Sequence, residues 1–186
     1  MTWSQELKHN VTDIARLQKQ LGLSDSETKQ LQELCTHFPM SVTRYYLKLI
    51  DWSDPADPIR RICIPTFFEM DQSGAFDTSG EASNTVCEGV QHKYRESALI
   101  LTTNRCAMYC RHCFRKRLVG LTDEEIAANF ERVTGYIREH EEITNVLLSG
   151  GDSFLNSNET IARYLDALTP IDHLHYIRFG TRTPVT

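Results

Sequence analysis

From residue 98 onward, short apolar runs alternate with amphipathic helical patterns, and few folds accommodate that alternation. Ala98–Thr103 (ALILTT) reads as a buried strand. Thr122 and Glu125 form a capping box, which predicts a helix carrying Ile126, Phe130, Val133 and Ile137 on one face. Ile143–Ser149 (ITNVLLS) is a second apolar run, ended by Gly150 and Gly151. Ser157 or Asn158 caps a second helix with Ile161, Leu165 and Leu168, and Pro170 stops it. Leu174–Gly180 (LHYIRFG) reads as a third strand. Strand, helix, strand, helix, strand predicts an α/β fold with a parallel sheet and right-handed crossovers.

The first half is different in kind. Residues 1 to 50 read as helices. Ser24 and Glu27 make a capping box ahead of Leu31, Leu34, Cys35 and Phe38 at helical spacing, and a second apolar stripe runs through Tyr45, Leu47 and Ile50. Asp51–Pro58 (DWSDPADP) is a turn or linker. Between 59 and 97 only turn signals stand out, at Ser73-Gly74 and Ser79-Gly80, and no element is assigned. The expected division is an N-terminal helical or irregular segment, 1–97, followed by the α/β part, 98–186.

Bulk properties exclude several classes. A net charge of -5 gives no basic field for nucleic acid and no polybasic patch for a membrane surface. No apolar run approaches a membrane span, and the N-terminus lacks a secretory pattern, so a cytoplasmic location is expected. Six cysteines are present. Without a secretory signal, a disulfide framework is a weak reading. Cys35, Cys63 and Cys87 are scattered and read as small buried apolar side chains.

The other three, Cys106, Cys110 and Cys113, form a C-x3-C-x2-C triplet directly after the first predicted strand. Three thiolates can hold three corners of a 4Fe-4S cube and leave the fourth iron open to a small molecule. This spacing is the signature of radical S-adenosylmethionine (SAM) enzymes. The alternative is a zinc site with His112 as fourth ligand. His112 is adjacent to Cys113, and neighbouring residues seldom both reach one tetrahedral ion. No second C-x-x-C completes a zinc ribbon, so the open cluster is preferred.

Ligands of parallel α/β sheets sit beyond the carboxyl ends of the strands. Three unusual segments fall there: the cysteine loop, Ser149-Gly150-Gly151-Asp152, and Thr181-Arg182-Thr183-Pro184. The glycine pair suits close backbone approach to a ligand, with its amides and carbonyls turned to an amino acid's charged groups. Arg115, Lys116 and Arg117 follow the cysteines. An arginine there suits a carboxylate, and Arg115 is the best placed.

The stretch from about Phe38 to Thr186 resembles the lysine 2,3-aminomutase family of radical SAM enzymes. The matching pieces are FPMSVTRYYLKLID, DPIRRICIP, QHKY, TTNRCAMYCRHCFRKRLVG, VLLSGGDSFL and IRFGTRTPV. The resemblance implies a partial (β/α) radical SAM barrel, three of whose parallel strands are present, preceded by the N-terminal helical segment. It implies a 4Fe-4S cluster, SAM and pyridoxal phosphate (PLP), an amino acid substrate, and an electron donor such as flavodoxin or ferredoxin. The implied reaction is radical migration of an amino group from carbon 2 to carbon 3 of lysine or a related amino acid. By position, Cys106, Cys110 and Cys113 would ligate the cluster. Ser149, Gly150, Gly151 and Asp152 would surround the methionine end of SAM. His112 would pack near the cluster and adenosine, Arg115 would pair with the substrate carboxylate, and Lys93 and Tyr94 would lie near PLP.

Phe114 departs from the pattern, standing where the lysine mutases usually have threonine. The C-F-R form is nearer to the branch that modifies a lysine on elongation factor P. The family also continues for roughly as many residues beyond Thr186, including its PLP lysine and any oligomerisation segment. The chain is therefore expected to be an N-terminal portion that does not complete the mutase reaction alone. Its third strand is expected to be an open, aggregation-prone edge. The competing non-enzyme reading is a metal-binding fragment without turnover.

Overall fold

The computed structural model describes residues 3–71 and 73–186. It divides into two compact units, Met1–Phe76 with Ala107–Arg117 and Val185–Thr186, and Asp77–Cys106 with Leu118–Pro184. This is not a cut at residue 97. The cysteine loop leaves the second unit after Cys106 and joins the first from Ala107 to Arg117.

The first unit is helical: α1 (Trp3–Leu7), α2 (Gln18–Leu21), α3 (Asp25–His37), α4 (Arg44–Lys48) and α5 (Pro58–Cys63). The expected capping box opens α3. Ser24 accepts from the Glu27 amide, and the Glu27 carboxylate takes the Ser24 amide at 2.8 Å. Leu31 and Leu34 then face a core with Ile14, Leu17, Met40, Val42, Tyr46, Cys63 and Met108. On α4 the inward residue is Tyr46, whereas Tyr45 is 56% exposed. Thr43 caps that short helix and sets its rotation. The expected linker ends in structure, because Asp57 caps α5 and Pro58 takes its first turn.

The second unit carries a five-stranded sheet with α6 (Glu81–Asn84), α7 (Phe130–Glu139) and α8 (Asn158–Leu168). Its strands lie in chain order: β1 (Thr85–Cys87), β2 (Val90–Tyr94), β3 (Ser97–Thr103), β4 (Asn145–Gly150) and β5 (Tyr176–Phe179). The predicted trio β3, β4 and β5 is parallel. Two further strands, unassigned from sequence, extend it as an antiparallel ribbon, with β2 turning into β3 over Arg95 and Glu96. The described architecture is thus an open, mixed α/β sheet. The core holds Val90, Ala98, Ile100, Val146 and Leu148 from the strands, with Val133, Ile137, Tyr164 and Leu168 from the helices.

Two expected boundaries move for physical reasons. The helix predicted from Thr122 begins only at Phe130, capped by Asn129, whose side chain accepts from the Arg132 amide at 3.0 Å. The intervening segment is held elsewhere: the Ala127 amide donates to Leu101 O at 2.8 Å. Gly89 lies so close to Ala127 that a Cβ on it would strike the Ala127 backbone. On α8 the cap is Ser157, and the deepest residues are Tyr164 and Leu168, with Ile161 and Leu165 half-buried. β5 is four residues long and pairs only with β4, so its outer edge is unpaired among the described residues. No helix among the described residues is long and apolar enough to cross a membrane.

Candidate functional site at the carboxyl edge and the cysteine loop

At the carboxyl edge of the parallel strands, the segment after β4 docks on the segment after β3. The Gly151 amide donates to Thr103 O at 2.6 Å, and the Asp152 amide to Arg105 O at 2.7 Å. Both glycines are needed for this approach. Gly150 has φ +118, a region side chains avoid, and a Cβ there would strike Thr103 O. A Cβ on Gly151 would strike Arg105 O. The glycine pair therefore serves contact with the protein's own backbone at the mouth of the cysteine loop.

The Asp152 carboxylate is 4% exposed and fully engaged. One oxygen accepts from the Phe154 amide at 3.0 Å and from Thr181 Oγ1 at 2.7 Å. The other accepts from the amides of Arg182 at 2.6 Å and Thr183 at 2.9 Å. Each oxygen has two lone-pair sites, so four donors saturate the group. Ser153 reinforces the join, its amide and hydroxyl both donating to Gly180 O, at 3.1 and 3.0 Å. Ser149 is buried, and a Cβ on Gly180 would come within 2.8 Å of its Oγ. Three loops are thus tied together around one buried acid. Thr181, Arg182 and Thr183 carry that join. The sequence marked their segment as unusual without naming them as site residues.

The cysteine loop is laced to the helical unit before any metal is considered. Asn10 Nδ2 donates to Ala107 O at 2.7 Å, Tyr109 N to Ser41 O at 2.9 Å, and Arg111 N to Ile62 O at 2.7 Å. Arg111 is buried, and its guanidinium reaches Pro39 O at 2.8 Å and the Glu69 carboxylate at 2.7 Å. Lys116 Nζ reaches the same carboxylate at 2.6 Å. Burial would raise the Glu69 pKa, but the Arg111 hydrogen bond and charge, with Lys116 beside them, outweigh it and hold the group below its ordinary value. Glu69 had no sequence signal, being a lone acid where no element was assigned.

All six cysteines are thiols. Cys63 and Cys87 lie in the two cores and Cys35 packs against the first, as read from sequence. Burial raises the thiol pKa of Cys35 and of Cys87. Cys106, Cys110 and Cys113 are half-buried, and Cys113 N closes a turn onto Cys110 O at 3.1 Å. Among the described residues, no three His, Cys, Asp or Glu side chains stand together as a formed metal site. The donor set nevertheless suits a thiolate-held cluster: three soft ligands within eight residues, and no carboxylate from Asn104 to Arg117. His112 is exposed, and Arg115 is 6% exposed with its guanidinium 4.5 Å over the Phe114 ring.

Lys93 and Tyr94 are not brought to this edge. Tyr94 pairs with Ser97 at the start of β3, and the strand runs from there to Thr103, roughly 20 Å at about 3.3 Å per residue. Lys93 donates to Ser79 O at 2.9 Å, and Tyr94 is 67% exposed. Lys93 and Tyr94 thus lie at the amino end of β3, on the side of the sheet away from the Gly150-Gly151-Asp152 loop.

Fold and site together define a class: an α/β protein whose strand β3 leads into a three-cysteine segment and whose next parallel strand, β4, ends in a glycine-glycine-aspartate loop. No family model matches the chain. It is 35% identical to the L-lysine 2,3-aminomutase of Clostridium subterminale, covering 98% of this chain and 45% of that protein. It is 38% identical to the glutamate 2,3-aminomutase of Clostridioides difficile (97% and 43%) and 33% identical to the L-lysine 2,3-aminomutase of Bacillus subtilis (98% and 40%). Over the stretch it spans, the chain is a relative of the lysine 2,3-aminomutase family. It spans less than half the length of each of these three relatives.

Proposed function

We propose that this chain is the cluster- and SAM-holding portion of a radical SAM 2,3-aminomutase acting on lysine or a related amino acid. The observation that carries the reading is the docking of Gly150-Gly151-Asp152 onto Thr103–Arg105, immediately before the cysteine triplet. In this reading the open sheet is part of a (β/α) barrel.

Cys106, Cys110 and Cys113 hold the 4Fe-4S cluster. When bound and reduced, that cluster supplies the electron that opens SAM and starts radical chemistry on the amino acid. Arg111 and Glu69 hold the loop from Tyr109 to Cys113 in place while ligands are exchanged. Ser149, Gly150 and Gly151 present backbone groups at the strand ends. His112 offers its exposed ring to the adenosine. Arg115, two residues after Cys113, offers a planar fork to the substrate carboxylate, and its burial strengthens such a pair. Oxygen-sensitive thiolate chemistry fits a reducing cytoplasm and a small electron donor such as flavodoxin or ferredoxin.

The test is anaerobic reconstitution with iron and sulfide, then dithionite and SAM, with assay for 5'-deoxyadenosine. The expected result is a brown chain that releases 5'-deoxyadenosine, with release lost in Cys110→Ala. A colourless zinc protein would overturn the reading. A brown chain that leaves SAM intact would make it a metal-binding protein without turnover.

Phe114 favours one second reading. It is 47% exposed where the free-amino-acid mutases usually carry threonine, as in the branch that modifies a lysine on elongation factor P. Supplying free lysine or that protein to the reconstituted chain, and following label transfer from deuterated substrate into 5'-deoxyadenosine, separates the two.

A further inference from the structure

We infer that Asp152 is a positioning residue, which serves the SAM site by fixing the Thr181-Arg182-Thr183 segment and not by gripping the ligand with its own carboxylate. The inference deepens the functional reading above and rests on it.

The sequence context, an acid after two glycines at a strand end, invites a ligand-binding role. The geometry does not leave that carboxylate available. It is 4% exposed, and its four acceptor sites are matched by Phe154 N, Thr181 Oγ1, Arg182 N and Thr183 N. A ligand ammonium would have to displace one of these donors and leave it buried and unsatisfied, which costs more than a surface hydrogen bond returns. Three of these four bonds join the loop after β4 to the Thr181–Thr183 segment across 29 to 31 residues of sequence, beyond the Ser153 amide bond to Gly180 O that joins the same loops. Thr183 Oγ1 is buried beside them with no hydrogen-bond partner among the described residues. A segment held this way has its amides committed inward, and its remaining polar groups are set by Asp152.

Thr181→Val separates the two roles, because it removes one bond of the clamp and leaves the Asp152 carboxylate in place. SAM binding to the anaerobically reconstituted chain is measured by titration for the parent, Asp152→Asn, Thr181→Val and the double variant, with iron per chain measured in each. The expected result is that each single variant weakens SAM binding about tenfold at unchanged iron content, and the double is no weaker than Asp152→Asn alone, as for groups acting as one unit. Full SAM affinity in Thr181→Val beside its loss in Asp152→Asn would overturn the inference, because only a direct grip gives that split. Hydrogen exchange in the cofactor-free chain supplies the second readout. The Arg182 and Thr183 amides should be protected in the parent and exchange about tenfold faster in Asp152→Asn. Fast exchange in the parent would also overturn the inference. If the parent binds no SAM while these amides are protected, the functional reading falls and the clamp stands.

Discussion

The two edges of the parallel sheet differ in how deeply their joins are buried. At the amino edge, the Thr144 and Asn145 amides donate to Glu96 O and the His175 and Tyr176 amides to Thr144 O, and part-exposed side chains add to them: Arg178 Nε donates to Asn145 Oδ1 at 2.8 Å, and Asn145 Nδ2 to Ser97 Oγ at 2.7 Å. Arg178 and its neighbour Tyr176 are exposed, and the Arg95-Glu96 turn closes the edge tightly. At the carboxyl edge, backbone meets backbone through Gly150 and Gly151, and the Asp152 side chain that ties the loop after β4 to the loop after β5 is buried with every lone pair used. A more exposed edge tolerates change, because water can replace lost bonds. A buried, saturated edge does not, and it can hold loops in one geometry for a ligand.

Substitutions on the two edges should therefore differ most at the glycines. Gly151→Ala places a methyl group on the Arg105 carbonyl, and the backbone cannot give way cheaply. Urea unfolding should show a loss of about 3 kcal/mol or more, or no folded protein at all. A loss below about 1 kcal/mol would mean that the docking of Gly151 on Arg105 is looser than described.

The anchor of the cysteine loop should give the next largest effect, and it carries a pH signature. Glu69→Gln leaves the buried Arg111 without its counter-charge, and about 2–4 kcal/mol should be lost at neutral pH. The folded-state pKa of Glu69 is depressed. Its contribution is thus fully present above the ordinary carboxylate value of about 4.3 and disappears as pH falls through the lower folded value. Urea midpoints measured from pH 7 down to pH 3 should fall more steeply in the parent than in Glu69→Gln. Parallel curves would remove Glu69 from the account.

The amino edge should give the smallest responses. Asn145→Ala breaks two part-exposed hydrogen bonds and should cost about 1 kcal/mol, with SAM binding unchanged. Lys93→Ala and Tyr94→Ala should alter stability by less than about 0.5 kcal/mol and leave SAM binding as in the parent. A loss of SAM binding in any of these three would erase the distinction between the edges.

Much of the α/β half was legible along the chain, because its strands and helices are local patterns. The runs 98–103 and 143–149 are continuous and apolar, and they became β3 and β4 with shifts of one or two residues. The Ser24 capping box is equally local and opens α3 as written. The misses share a cause. β1 and β2 are short, and their exposed residues, Val86 and Tyr94 among them, carry no clean alternation. The Thr122 box failed because Ala127 is captured by β3, a contact from 26 residues earlier in the chain. Lys93 and Tyr94 were placed near PLP by the family resemblance and by no pattern of their own. The hairpin turn at Arg95 and Glu96 sets them beside the amino end of β3.

By itself, the sequence determined which residue types lie near one another along the chain: three thiols without a competing carboxylate, two glycines at a strand end, and the order of the parallel strands. Spacing and periodicity carry that information because they depend only on neighbours along the chain. Only the tertiary structure decided what each residue does there. The glycines accommodate the protein's own backbone, Asp152 is consumed by donors from β4 and β5 loops, and Glu69 answers the charge of an arginine 42 residues away. Hydrogen-bond saturation and burial are properties of distant groups packed together, and no local pattern encodes them.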